Sequence, residues 1–197
     1  MLKIVTAPNS ILSQPAKQIS KIDKNILKLI NEMKQALLSA KDPEGVGLAA
    51  PQIGKSIQVF IAKQTSQSPI LTFINPKIEY LINTSSEKNQ QVKQSEKTAR
   101  AKEKSGIDKN VQLEGCLSLK NIWGVVKRYS SVTLSYQDEK GQKHKRRFKG
   151  FIATIIQHEY DHLQGILFPK RVLEQKGKLY KSHKNEKGED VFEEIDI

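Results

Sequence analysis

The string His158-Glu159-Tyr160-Asp161-His162 sets two imidazoles four residues apart, a spacing that works as a unit only on a helix. There both rings share one face and can reach one metal ion. Glu159 lies beside them, placed to take a proton from water activated by that ion. Phe151, Ile152, Ile155, Ile156 and Leu163 make residues 150–163 an amphipathic helix, closed by Gly165. The histidines fall on the side of Ile155, where neighbouring imidazoles without a ligand would be destabilising.

A catalytic metal of this kind takes a third protein ligand and keeps one position open. The charged segment beyond residue 170 ends acidic and reads as a fraying tail, a poor source for a rigid ligand. Cys116, the one cysteine, is the better candidate. It stands in Glu114-Gly115-Cys116-Leu117-Ser118, where Gly115 permits a tight backbone. The plain alternative is a small buried residue, the usual state of a free cysteine. A third element, residues 45–54, carries three glycines and two alanines, so a backbone or ligand could approach closely, with Gln52 offering an amide donor. It lacks the Gly-Lys-Ser/Thr of a phosphate loop. A tight turn entering a strand is its ordinary reading.

The rest of the chain fits an α+β domain. Residues 20–41 predict a first, N-terminal helix with Ile22, Ile26, Leu29, Ile30, Met33 and Leu37 on one stripe. Ser20 followed by Asp23 suggests its cap, and Asp42-Pro43 its stop. Strands are expected at 58–62, 70–78, 123–127, 131–136 and 142–149, mostly antiparallel, the last strongly basic. Residues 83–110 are dense in Ser, Lys, Gln, Glu and Asn. They read as a flexible insertion, or as a charged helix around 87–104. The organisation expected is one catalytic domain over 1–170 followed by a charged tail over 171–197.

A single cysteine excludes an intrachain disulfide and fits a reducing compartment. The N-terminus shows no apolar leader pattern, and no apolar run approaches the roughly 20 residues that span a bilayer. A cytoplasmic protein, with no membrane partner, is the expectation. The net charge of +12 favours polyanions without choosing a fold.

Taken together and in order, three strings resemble the signature motifs of the peptide deformylase family. They are Gly45-Val46-Gly47-Leu48-Ala49-Ala50-Pro51-Gln52, Glu114-Gly115-Cys116-Leu117-Ser118 and Gln157-His158-Glu159-Tyr160-Asp161-His162-Leu163. Phe73-Ile74-Asn75-Pro76 and Gly165-Ile166-Leu167-Phe168 match as flanks. The resemblance covers residues 1–170 apart from the polar insertion. It implies mostly antiparallel sheets packed around the C-terminal His-Glu-x-x-His helix. It also implies hydrolysis of the N-formyl group from the formyl-methionine of nascent polypeptides.

Cys116, His158 and His162 would then hold one divalent metal. In the family it is Fe²⁺, which Zn²⁺, Ni²⁺ or Co²⁺ can replace. Glu159 would move the proton, while the Gln52 amide and the Leu117 backbone N–H would steady the oxyanion. Val46, Phe151 and Ile155 would line a methionine pocket. Gly47, Glu114 and Gly115 would bind the peptide as an added strand. Two features depart from the family pattern: Leu119-Lys120-Asn121 stands where a Pro-containing turn is usual, and the insertion is long. A monomer near the ribosome is the expected state.

Two other readings stay open on the residues alone. A peptidase using His158, His162 and another acid would not need Cys116. A binding module would dock Lys143-His144-Lys145-Arg146-Arg147 on RNA, a run that also suits a solvated sheet edge.

Overall fold

The computed structural model describes residues 2–40, 44–82, 113–186 and 188–195. The expected insertion over 83–110 and the Asp42-Pro43 stop lie outside the described residues. The chain divides into two compact units, Met1–Lys88 with Arg128–Leu167, and Asn89–Lys127 with Phe168–Ile197. Among the described residues the fold is α+β, with three α-helices and two antiparallel sheets.

The first unit carries α1 (Lys24–Ser39) and α2 (Phe151–Leu163) with a five-stranded sheet in the order β1-β2-β3-β6-β7. Its strands are β1 (Gly47–Ala49), β2 (Val59–Ala62), β3 (Leu71–Ile82), β6 (Ser131–Gln137) and β7 (Lys143–Lys149). Helix α1 starts at Asp23, not Ser20, because the Asp23 carboxylate accepts the N–H groups of Asn25 and Ile26, both at 2.9 Å. A carboxylate also suits the positive end of the helix better than a hydroxyl does. Ile30, Met33 and Leu37 are the buried part of the expected stripe.

Phe60, Phe73, Tyr136 and Phe148 form the aromatic centre of the sheet's core, with Phe60 and Phe73 stacked at 4.5 Å. Ile152, Ile155, Ile156 and Leu163 of α2 pack into the same cluster. The Phe-Ile-Asn-Pro string has a structural job here. Asn75 takes a left-handed backbone (φ 48°), and its side chain pairs with both the N–H and the C=O of Ile19, at 2.8 and 2.7 Å. It sits where the β3–β6 register shifts between Ile74 and Lys77, so one residue bends the strand and anchors the chain before α1.

The second unit holds β4 (Leu113–Cys116), β5 (Leu119–Val125), α3 (Phe168–Glu174), β8 (Leu179–Lys184) and β9 (Asp190–Ile195), in the sheet order β4-β5-β8-β9. Two expectations are corrected here. The segment after Ser118 is strand β5, where residues 123–127 had been expected to carry it. The tail does not fray: it forms a hairpin paired from Leu179↔Ile195 to Lys184↔Asp190. Its basic and acidic strands face each other across the ladder, as in Lys184–Asp190 at 2.8 Å and Lys178–Glu194 at 2.8 Å. Composition hides such a hairpin because its pattern is in charge rather than apolarity.

Candidate metal centre

Helix α2 is more deeply buried than an amphipathic helix should be. Gln157, His158, Glu159, Asp161 and His162 are all buried along with its apolar residues. Burying so much polarity requires partners for it. Gln157 accepts the Tyr129 N–H at 3.1 Å and donates to the carbonyls of Tyr129 and Ala153, both at 2.9 Å. Asp161 takes the Arg128 guanidinium at 2.6 Å, with both side chains 8% exposed. These two contacts, four residues apart, tie the segment before β6 to one face of the helix. Breaking such a buried pair from one side costs about 3–5 kcal/mol.

The helix ends at Gly165, whose positive φ of 69° closes the last turn while Ile166 N–H reaches back to Asp161 C=O at 2.9 Å. A Cβ there would also strike the backbone of Ser13 and Gln14. The register that carries the histidines is thus fixed at its end and along its length. The two imidazoles meet edge to face, with ring centroids 4.9 Å apart.

Glu159 explains the Gly-rich string. A Cβ on Gly47 would fall on the Glu159 carboxylate, so the β1 backbone can lie against that group only as glycine. Gln52, 1% exposed, accepts the Ala49 N–H on Oε1 at 2.8 Å. Because the amide oxygen must take that donor, the side chain is fixed with Nε2 as its donor end. Val46 and Phe151 are half-buried against the apolar cluster that contains Ile155, so the three expected pocket residues share one cluster. Beside Val46 the Lys63 side chain, 5% exposed, reaches Glu44 at 3.2 Å.

In the second unit Cys116 is buried with Phe168, Val172 and Leu179. Leu117 and Ser118 form a two-residue turn between Cys116 and Leu119. The Ser118 N–H points at the Cys116 sulfur, 3.4 Å away, and helps fix where that sulfur lies. Gly115 lies under Trp123, whose ring a Cβ would meet at 2.7 Å. Glu114 precedes it, half-buried in β4.

The ligand atoms of Cys116, His158 and His162 all lie within 4.8 Å of one another. One thiol and two imidazoles, all buried, suit a borderline-soft divalent metal. The residues present fit such an ion. Sequence reasoning missed Arg128, Asp161 and the Ser118 N–H. An aspartate inside an apolar helix was the signal available for the first two, since it demands a cation.

The chain matches the family model described as polypeptide deformylase over residues 1–178. It is 37% identical over 177 residues to a peptide deformylase of Prochlorococcus marinus, covering 88% of this chain and 74% of that protein. Peptide deformylase 1 of Bacillus cereus is 33% identical over 172 residues, covering 87% and 92%. Among solved structures, a peptide deformylase from Synechococcus elongatus in complex with actinonin superposes with a TM-score of 0.68 at 34% identity, over 86% of this chain and 79% of that one. The enzyme of Thermotoga maritima gives 0.67 at 29% identity, over 87% and 97%.

Proposed function

Because the chain belongs to the peptide deformylase family, we propose that Cys116, His158 and His162 hold its metal and that Glu159 is its proton carrier. The protein hydrolyses the N-formyl group of formyl-methionyl nascent polypeptides, releasing formate and a free amine. The observation that carries the residue assignment is the convergence of the three ligand atoms on the helix that bears Glu159.

When bound, a divalent metal supplies Lewis acidity, polarising the carbonyl and acidifying water. The protein's own groups do the rest. The Glu159 carboxylate takes a proton from the attacking water and passes it to the departing amine nitrogen as the C–N bond breaks. Gln52 Nε2 and the Leu117 N–H donate to the oxyanion as it forms. Each such donor is worth about 10²–10³ in rate. The buried position of Glu159 over Gly47 limits its motion, so its oxygen is presented with little reorganisation. Val46, Phe151 and Ile155 would receive the methionine side chain. Gly47, Glu114 and Gly115 would pair with the peptide backbone in extended form. The half-buried rim and buried floor of the apolar cluster support that pocket.

The physiological metal we assign is Fe²⁺, with Zn²⁺, Ni²⁺ or Co²⁺ able to replace it. We place the protein as a cytoplasmic monomer working near the ribosome on emerging chains. No helix among the described residues is long and apolar enough to cross a membrane.

The test is formate release from formyl-Met-Ala-Ser by anaerobically purified protein loaded with Fe²⁺ or Ni²⁺, with metal content measured alongside. One metal per chain and turnover are expected, with both lost in Cys116→Ser. Metal retained in that variant would overturn the ligand set. Bound metal without turnover would move the substrate to another amide.

A further inference from the structure

The outer face of the first unit's sheet is the strongest feature the reaction does not use. Val132, Leu134, Tyr136 and Phe148 point into the core, so their alternate neighbours form the opposite face. On β7 these are Lys143, Lys145, Arg147 and Lys149, registered against Gln137, Ser135, Thr133 and Ser131 of β6. Next along the sheet, β3 adds Lys77 opposite Ser135 and Tyr80 opposite Thr133. Cations on alternate residues repeat at roughly 6.8 Å, and the β7 row runs on the order of 20 Å. Among the described residues no carboxylate pairs with Lys143, Lys145, Arg146 or Arg147.

We propose that this face, built from Lys77, Tyr80, Lys143, Lys145 and Arg147, binds single-stranded RNA along its phosphate backbone. Charge complementarity argues for a polyanion: Lys143, Lys145 and Arg147 have no carboxylate partner among the described residues, and Lys77, paired only with the neighbouring Glu79 at 3.7 Å, adds to a positive field that an anionic strand relieves. The face is also equipped for bases. Tyr80 is 60% exposed, with the Lys145 ammonium 5.4 Å from its ring centroid, so a base can stack where a cation already sits. Thr133 and Ser135 present hydroxyls between the cation rows, suited to ribose 2′-OH groups. Protecting the β7 edge from strand pairing would account for charge on β7 alone. It gives no reason for an exposed Tyr80 two strands further in. An anionic membrane is the competing polyanion, since Ile82 and Tyr80 are exposed on this face, and the hydroxyls of Thr133 and Ser135 between the cations favour RNA over it.

The experiment is fluorescence anisotropy of a short 5′-fluorescein oligouridylate with the metal-loaded protein, across about 50 to 200 mM salt. Three or four neutralised phosphates give a log–log salt slope of about −2 to −3 for a single strand. Combined Lys143→Ala, Lys145→Ala and Arg147→Ala should weaken binding at least tenfold and bring the slope about 2 closer to zero, with formate release unchanged. Tyr80→Ala should weaken binding by about tenfold and leave the slope alone. Lys17→Ala, Lys21→Ala and Lys24→Ala together remove the same charge elsewhere and should leave affinity nearly unchanged. Equal losses in the two triple variants would overturn the proposal in favour of diffuse net charge. So would absence of binding at low salt, or tighter binding to phosphatidylglycerol vesicles than to the RNA.

Discussion

The two compact units hold their share of the chemistry by different means. The unit with α2 places His158, His162, Glu159 and Gln52 inside a dense core of aromatics and branched aliphatics, with Gln157 and the Arg128–Asp161 pair locking the helix. Among the described residues the unit with Cys116 has a core cluster of four buried residues, and its β8–β9 hairpin is dressed with exposed ion pairs. Exposed pairs of that kind are each worth at most about 1 kcal/mol. Among the described residues, backbone pairing and a small cluster hold the thiol, whereas a larger cluster packs against the helix that carries the imidazoles. Proton transfer tolerates little misplacement, and Glu159, the proposed proton carrier, lies in the unit with the larger buried cluster.

That contrast can be broken most sharply at the ligands. His162→Ala and Cys116→Ala should both remove the metal and with it essentially all turnover, measured by elemental analysis and formate release. A Cys116→Ala protein that kept its metal would mean that the second unit contributes structure and no ligand. Gly47→Ala comes next. The added methyl displaces the Glu159 carboxylate, so turnover should fall by about a hundredfold while metal content holds.

A pair of matched truncations tests the two cores. Leu134→Ala in the first core should destabilise by the upper part of about 2–5 kcal/mol, and Leu179→Ala, nearer the surface, by the lower part, in urea unfolding. The reverse order would refute the comparison.

The smallest effect concerns acid stability in the first unit. Burial raises the Glu139 carboxyl, but its bonds to Lys34 and Thr72 outweigh this and hold it below its ordinary value of 4.5. Its contribution to stability is therefore present above pH 4.5 and lost as pH falls through the lower folded value. Glu139→Gln should flatten the Tm-against-pH curve in that acid range and leave the curve's shape above it unchanged.

The sequence made the first unit legible where apolar period and turn chemistry agreed. Helix α1, strands β6 and β7 and the histidine helix lie within a few residues of expectation. The candidate site was legible because its residues sit in short strings that local geometry makes meaningful, such as the i, i+4 histidines. What stayed hidden depends on partners distant in sequence. Arg128 is 33 residues from Asp161 and means nothing until the fold brings them together. Gly47 looked like turn chemistry, while its requirement comes from a carboxylate on α2. The β8–β9 hairpin was missed for another reason: one strand is basic and the other acidic, and a run of solvated charges resembles a tail until its ladder is seen.

In the mechanism we propose, Glu159 moves the proton while Cys116, His158 and His162 keep the metal. Formate release from formyl-Met-Ala-Ser by Glu159→Gln, compared with the wild-type protein at equal metal occupancy, tests it most directly. A loss of about 10²–10⁴-fold in kcat with one metal still bound is the predicted result. Turnover near the wild-type rate at full occupancy would contradict it and assign the proton to another group.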